Sequence, residues 1–164
     1  MKGFMGTRRL AALFVALATG VALTAGASGA SAATTSVTRT FNFIGKPNSR
    51  TITLFNVDGM SANARCNASG DPVVFAFSAA TNADLFGRLF DGLGRFHIIK
   101  NSSFIRSNRG GVRLSPTSGD FDSTGTVLYE NSRGLTVTVN YAVDDSTTLN
   151  HLNVCTVYGS FIAT

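Results

Sequence analysis

From residue 35 onward, apolar and polar residues alternate with a period of two, which is the pattern of strands with one face buried. The clearest run is Leu135-Thr136-Val137-Thr138-Val139-Asn140-Tyr141, with Leu, Val, Val and Tyr on one face and Thr, Thr and Asn on the other. A strand over 125–130 precedes it across Asn131-Ser132-Arg133-Gly134, a hairpin connection with glycine where a positive φ is needed. A second hairpin is expected to join 60–67 to 73–80 through Ala68-Ser69-Gly70-Asp71-Pro72. In its first arm Met60, Ala62, Ala64 and Cys66 share a face, so Cys66 is expected to point into the core. Further strands are expected over 37–43, 50–57, 95–99, 104–107 and 153–162, separated by small turn clusters such as Gly45-Lys46-Pro47-Asn48. Short strands at this spacing predict an all-β class: one antiparallel β-sandwich or barrel-like domain.

One segment departs from the alternation. Residues 81–94 open on a capping-box-like Thr81…Asp84. Leu85, Leu89 and Leu93 then recur at i+4, with Phe86 and Phe90 alongside, so the spacing predicts a short helix or irregular loop across one end of the sandwich. Gly87, Gly92 and Gly94 weaken any such helix by about 1 kcal/mol each. The leucines would plug that end, or form an exposed Leu/Phe lip for a partner or membrane surface.

The alternation starts only after a different kind of segment. Lys2, Arg8 and Arg9 precede an apolar stretch over 10–23, and small residues follow up to Ala30-Ser31-Ala32. That is the layout of a secretory signal peptide over 1–32, cleaved after Ala32 or one residue later, with the β-domain over 33–164. Thr7-Arg8-Arg9-Leu10 lacks the bulky pair and trailing lysine of a twin-arginine signal, which favours general secretion. Without Lys2, Arg8 and Arg9 the formal net charge falls from +5 to +2, so global charge makes no case for nucleic-acid binding. Cys66 and Cys155 are the only cysteines, and in an oxidising compartment they are expected to pair. The expected location is secreted, or loosely held at the cell wall.

Gly125-Thr126-Val127-Leu128-Tyr129, then Val137-Thr138-Val139-Asn140-Tyr141-Ala142, then Cys155 with Gly159, form an ordered C-terminal pattern. It resembles small exported β-rich proteins of actinobacteria, in which G-T-L-x-Y, V-T-V-x-Y/F-x-A and a final Cys-x-x-x-Gly follow in that order. Leu54-Phe55-Asn56-Val57-Asp58-Gly59 leading to Cys66, and Asp120-Phe121-Asp122 before the last hairpin, extend the likeness to most of the β-domain. The end departs, since Gly159-Ser160-Phe161-Ile162 stands where those proteins finish in Gly-Thr-Ala. The resemblance implies an exported β-domain with one disulfide; it implies no activity.

Candidate chemistry is sparse. Asp120-x-Asp122-x-Thr124-Gly125 has the spacing that opens a calcium loop, but position twelve would be Asn131 rather than a bidentate Glu, and a turn held by Asp explains it equally well. Asp144 and Asp145, adjacent on an extended chain, point to opposite sides and read as a solvated hairpin tip. His97 lies between Phe96 and Ile98 in a strand, and His151 in a polar loop. The alternative of a small secreted hydrolase, nuclease-like for example, would rest on His151 and Glu130, the only glutamate, with no supporting motif. No metal set, cofactor motif or dedicated nucleic-acid motif is present, and Trp is absent, which disfavours a flat glycan platform. Residues 84–113 hold six Lys or Arg against two Asp, interleaved with phenylalanines, whereas 114–164 sum to −4. The expectation is a non-catalytic module that binds an anionic cell-wall polymer or membrane surface through Arg88, Arg95, Arg106, Phe86 and Phe90.

Overall fold

Ten antiparallel strands make up the regular structure in the computed structural model, which describes residues 35–107, 109–118, 121–145 and 153–164. The signal-peptide reading over 1–32 lies outside the described residues. The strands are β1 Val37–Gly45, β2 Ile52–Val57, β3 Met60–Cys66, β4 Pro72–Ser78, β5 Ala83–Asp91, β6 Phe96–Asn101, β7 Val112–Arg113, β8 Ser123–Asn131, β9 Thr136–Asp144 and β10 Cys155–Ala163. They form a six-stranded sheet in the order β1-β10-β9-β8-β5-β6 and a four-stranded sheet in the order β2-β3-β4-β7. The two sheets pack as a sandwich, and no helix occurs among the described residues.

The period-two pattern sets what each strand buries. On β3, Met60, Ala62, Ala64 and Cys66 face inward, and on β9, Val137, Val139, Tyr141 and Val143 do so. Across the gap Phe55 of β2 meets Phe41 of β1 at 5.4 Å and Phe161 of β10 at 4.9 Å between ring centroids, tilted as aromatic quadrupoles prefer. The buried Tyr141 hydroxyl donates to the Leu114 carbonyl at 2.7 Å, and burial pushes its phenol well above the ordinary pKa. The expected disulfide is present: Cys66 on β3 is bonded to Cys155 on β10, with Cα atoms 5.8 Å apart, so it joins the two sheets.

Two local expectations are corrected. Residues 83–91 are neither helix nor loop but the strand β5, which is flanked on one side by β6 and on the other by β8. Leucines four apart satisfy a strand as well as a helix, because four is also an even number. Residues 104–107 form no strand. Phe104 instead turns inward, fully buried, with its ring edge-on to Tyr129 at 6.0 Å and its N–H bonded to the Ala83 carbonyl.

Candidate functional site

Strand register decides which of the expected binding residues stand together. On β5 the side chains of Ala83, Leu85, Leu89 and Asp91 go inward, so Phe86, Arg88 and Phe90 all stand on the outer face. β6 is the sheet edge, and its register places Phe96 beside Phe90, Ile98 beside Arg88 and Lys100 beside Phe86. Phe90, Phe96 and Ile98 are 52%, 55% and 68% exposed, so this hairpin leaves large apolar groups in water. On the other side of β5, register continues the rows through Thr124 and Thr126 of β8 to Ala142 and Asn140 of β9.

Between these rows lies a depression of about 490 Å³. Arg88, Phe90, Phe96, Thr124, Thr126 and Asn140 supply its outward side chains. It crosses four strands, about 14 Å at the usual interstrand spacing. One side is aromatic, the other hydroxyl and amide, and Arg88 supplies the charge. The Thr126 hydroxyl donates to Asn140 Oδ1 at 2.8 Å, which fixes the amide and leaves its NH₂ to a ligand.

The other two arginines are elsewhere. Arg95 lies in the β5–β6 turn, where its Nε donates to Asp91 at 2.8 Å. Burial works to raise the Asp91 pKa, but the Arg95 backbone N–H, its guanidinium and the His97 ring outweigh it and bring the carboxyl down to about 2. Arg106 is at the opposite end of β5, where its N–H bonds the Ala80 carbonyl, and it shares a separate depression with Arg109. The arginines expected to form one basic end therefore occupy three places along a strand about 26 Å long.

Glu130 stands on the outer face of β8 opposite Asp84 of β5, next to another carboxylate and at the end of β5 away from His97. His151 and Asp120 lie outside the described residues. Asp144 and Asp145 are not a solvated tip: both are partly buried, and their carboxylates converge with that of Asp122 within 4.8 Å. The Asp145 N–H donates to Asp122 Oδ1 at 3.3 Å. The groove's hydroxyl and amide side escaped the sequence reading, although period two on β8 and β9 does put Thr124, Thr126 and Asn140 on one outward face. Comparison with family models, curated proteins and solved structures finds no match.

Proposed function

We propose that the protein is exported, with a signal peptide over 1–32, and acts as a non-catalytic module that binds an anionic, hydroxyl-rich envelope polymer across the outer face of β5, β6, β8 and β9. The observation that carries this reading is the groove, which sets a cation and two exposed aromatic rings beside a hydroxyl and amide row. Aromatic faces take the apolar faces of a polymer's rings and alkyl units, while Thr124, Thr126 and the Asn140 amide bond its hydroxyls. Arg88 and Lys100 attract its charges. The buried interior disulfide agrees with an oxidising destination.

Of the two occupants expected from sequence, the groove favours the polymer: a track about 14 Å across four strands, lined by hydroxyls and an amide as well as rings, suits a single strand better than a flat membrane.

The test is co-sedimentation of the purified protein with isolated cell-wall sacculi and, separately, with anionic liposomes, across a salt series. Pelleting with sacculi that weakens with salt and is lost in Arg88→Gln supports the reading. Pelleting with liposomes alone, or with neither at low salt, overturns it.

A further inference from the structure

A second cleft lies on the other side of the edge strand, at the open flank where the larger sheet ends in β6 and the smaller one in β7. Its volume is about 260 Å³, small for an organic ligand and ample for an inorganic ion. Arg95 and His97 line it from the β5–β6 hairpin, and Arg113, Ser115, Thr117 and Ser118 from β7 and the segment that follows.

Each basic group is anchored on one side and leaves polar atoms over on the other. Asp91 lies fully buried beneath the hairpin and takes the Arg95 Nε at 2.8 Å and the His97 Nε2 at 3.2 Å on the same oxygen. Those bonds leave both Nη groups of Arg95, and Nδ1 of His97, as the unspent polar atoms. Across the cleft, Arg113 donates Nε to the Ser115 carbonyl at 3.1 Å and one Nη to the Pro116 carbonyl, which leaves Nη donors to spare. No carboxylate ion-pairs with Arg113 among the described residues. Burial, then the charge of Arg65, holds its guanidinium below the ordinary value, with Asp71 acting the other way. Asp71 itself already accepts from the Asn67 amide at 2.8 Å. The cleft thus gathers Arg95, Arg113 and His97, and the buried carboxylate beneath the hairpin is already shared by Arg95 and His97.

We propose that this cleft binds a tetrahedral phosphate group, as the free ion or as an ester, between the guanidinium forks of Arg95 and Arg113, with His97 completing the shell. Guanidinium forks match the spacing of paired phosphate oxygens, and donors from both walls of the cleft, joined by His97 Nδ1–H when the ring is protonated, suit a tetrahedral anion better than a planar carboxylate. Anchoring by Asp91, Ser115 and Pro116 preorganises the donors, which lowers the entropic cost of capture. The site is independent of the outer groove, and a free small ion tests it with no polymer present, so either reading can fail without the other.

The experiment is a titration of the purified protein with sodium phosphate, and separately with dimethyl phosphate, at constant ionic strength held with chloride. The readouts are the His ring and Arg Nε–H resonances. The chain has two histidines, so a His97→Gln variant assigns the ring signals. Saturable shifts at His97, Arg95 and Arg113 are expected, with binding at least tenfold weaker in Arg95→Gln and unchanged in Arg50→Gln, a remote exposed cation. Saturation by inorganic phosphate alone defines a free-ion or monoester site, and saturation by both shows that a diester fits; either result supports the proposal. Shifts that grow linearly, or that chloride reproduces, or that scatter over surface lysines and arginines, overturn it. The wild-type titration and His97→Gln decide the matter even if Arg95→Gln fails to fold.

Discussion

The β5–β6 and β8–β9 hairpins are neighbours in one sheet and turn by the same device, yet they present different outer faces. In the first, Asp91 Oδ1 accepts the N–H groups of Leu93 and Arg95, and the Gly94 N–H bonds the Asp91 carbonyl. In the second, Asn131 Oδ1 accepts from Arg133 and Leu135, and the Gly134 N–H bonds the Asn131 carbonyl. Both glycines have φ of 76°. A turn of this kind needs one side-chain acceptor and one left-handed residue, and nothing else. The remaining side-chain atom is free for another purpose. Asp91 spends it on Arg95 and His97, and Asn131 spends it as an amide donor to the Asp58 carbonyl at 3.1 Å. Turn chemistry is therefore common to both hairpins, and the choice between acid and amide is set by what lies next to the turn.

The largest effect should come from exchanging that choice where it is buried. Asn131→Asp keeps the turn acceptor but loses the donor to Asp58 and leaves a carboxylate against a carbonyl at a 6% exposed position. A loss of about 2–3 kcal/mol is expected in urea unfolding; a neutral result would mean that the Asp58 contact does not hold the turn.

Next come the shared glycines. A Cβ at Gly94 or Gly134 meets nothing within 4 Å, so alanine there costs only the left-handed backbone, about 1–2 kcal/mol. The two substitutions should cost the same; unequal midpoint shifts would show that the turns are alike only in outline.

The outer faces supply a third comparison. Replacing Phe90 and Phe96 by Thr gives β5–β6 the outward chemistry of β8–β9. Because both rings are more than half exposed, stability should hold while sacculus affinity falls about tenfold, or about 1.4 kcal/mol. Undiminished pelleting would show that the rings of Phe90 and Phe96 take no part in binding.

The last comparison is Asp91→Asn, which retains the turn but removes the charge that Arg95 and His97 share. Its interest lies in the acid limb. The folded pKa of Asp91 is about 2 against an ordinary 3.8, so the ionised carboxylate contributes stability that is present above about pH 4 and lost as pH falls toward 2. Wild type should exceed Asp91→Asn above pH 5 and converge with it near pH 2. Stability curves that stay parallel through that range would contradict the ion-paired arrangement.

Most of the sandwich was legible because its strands bury one face, so alternation reports them directly. Met60 to Cys66 and Leu135 to Tyr141 are examples. β5 was not legible, and its residues show why. Two of its inward positions, Gly87 and Asp91, are not apolar, while its outward ones include Phe86 and Phe90. Inward position 87 is glycine because a Cβ there would lie 2.5 Å from the Thr126 carbonyl oxygen, and inward position 91 is Asp because it builds the turn. Surface chemistry on one face and backbone crowding on the other together cancel the period of two and leave the leucines to suggest a helix. β7 is two residues long, too short for any periodicity. The groove and the phosphate cleft combine residues from separate strands, and sequence spacing holds no record of which strands become neighbours.

The bond between Cys66 and Cys155 spans 89 positions and encloses every strand from β4 to β9. Every lining residue of both clefts therefore lies within one covalent ring. A protease that cuts the chain once inside that ring releases nothing; it yields a two-chain molecule that migrates as fragments only after reduction.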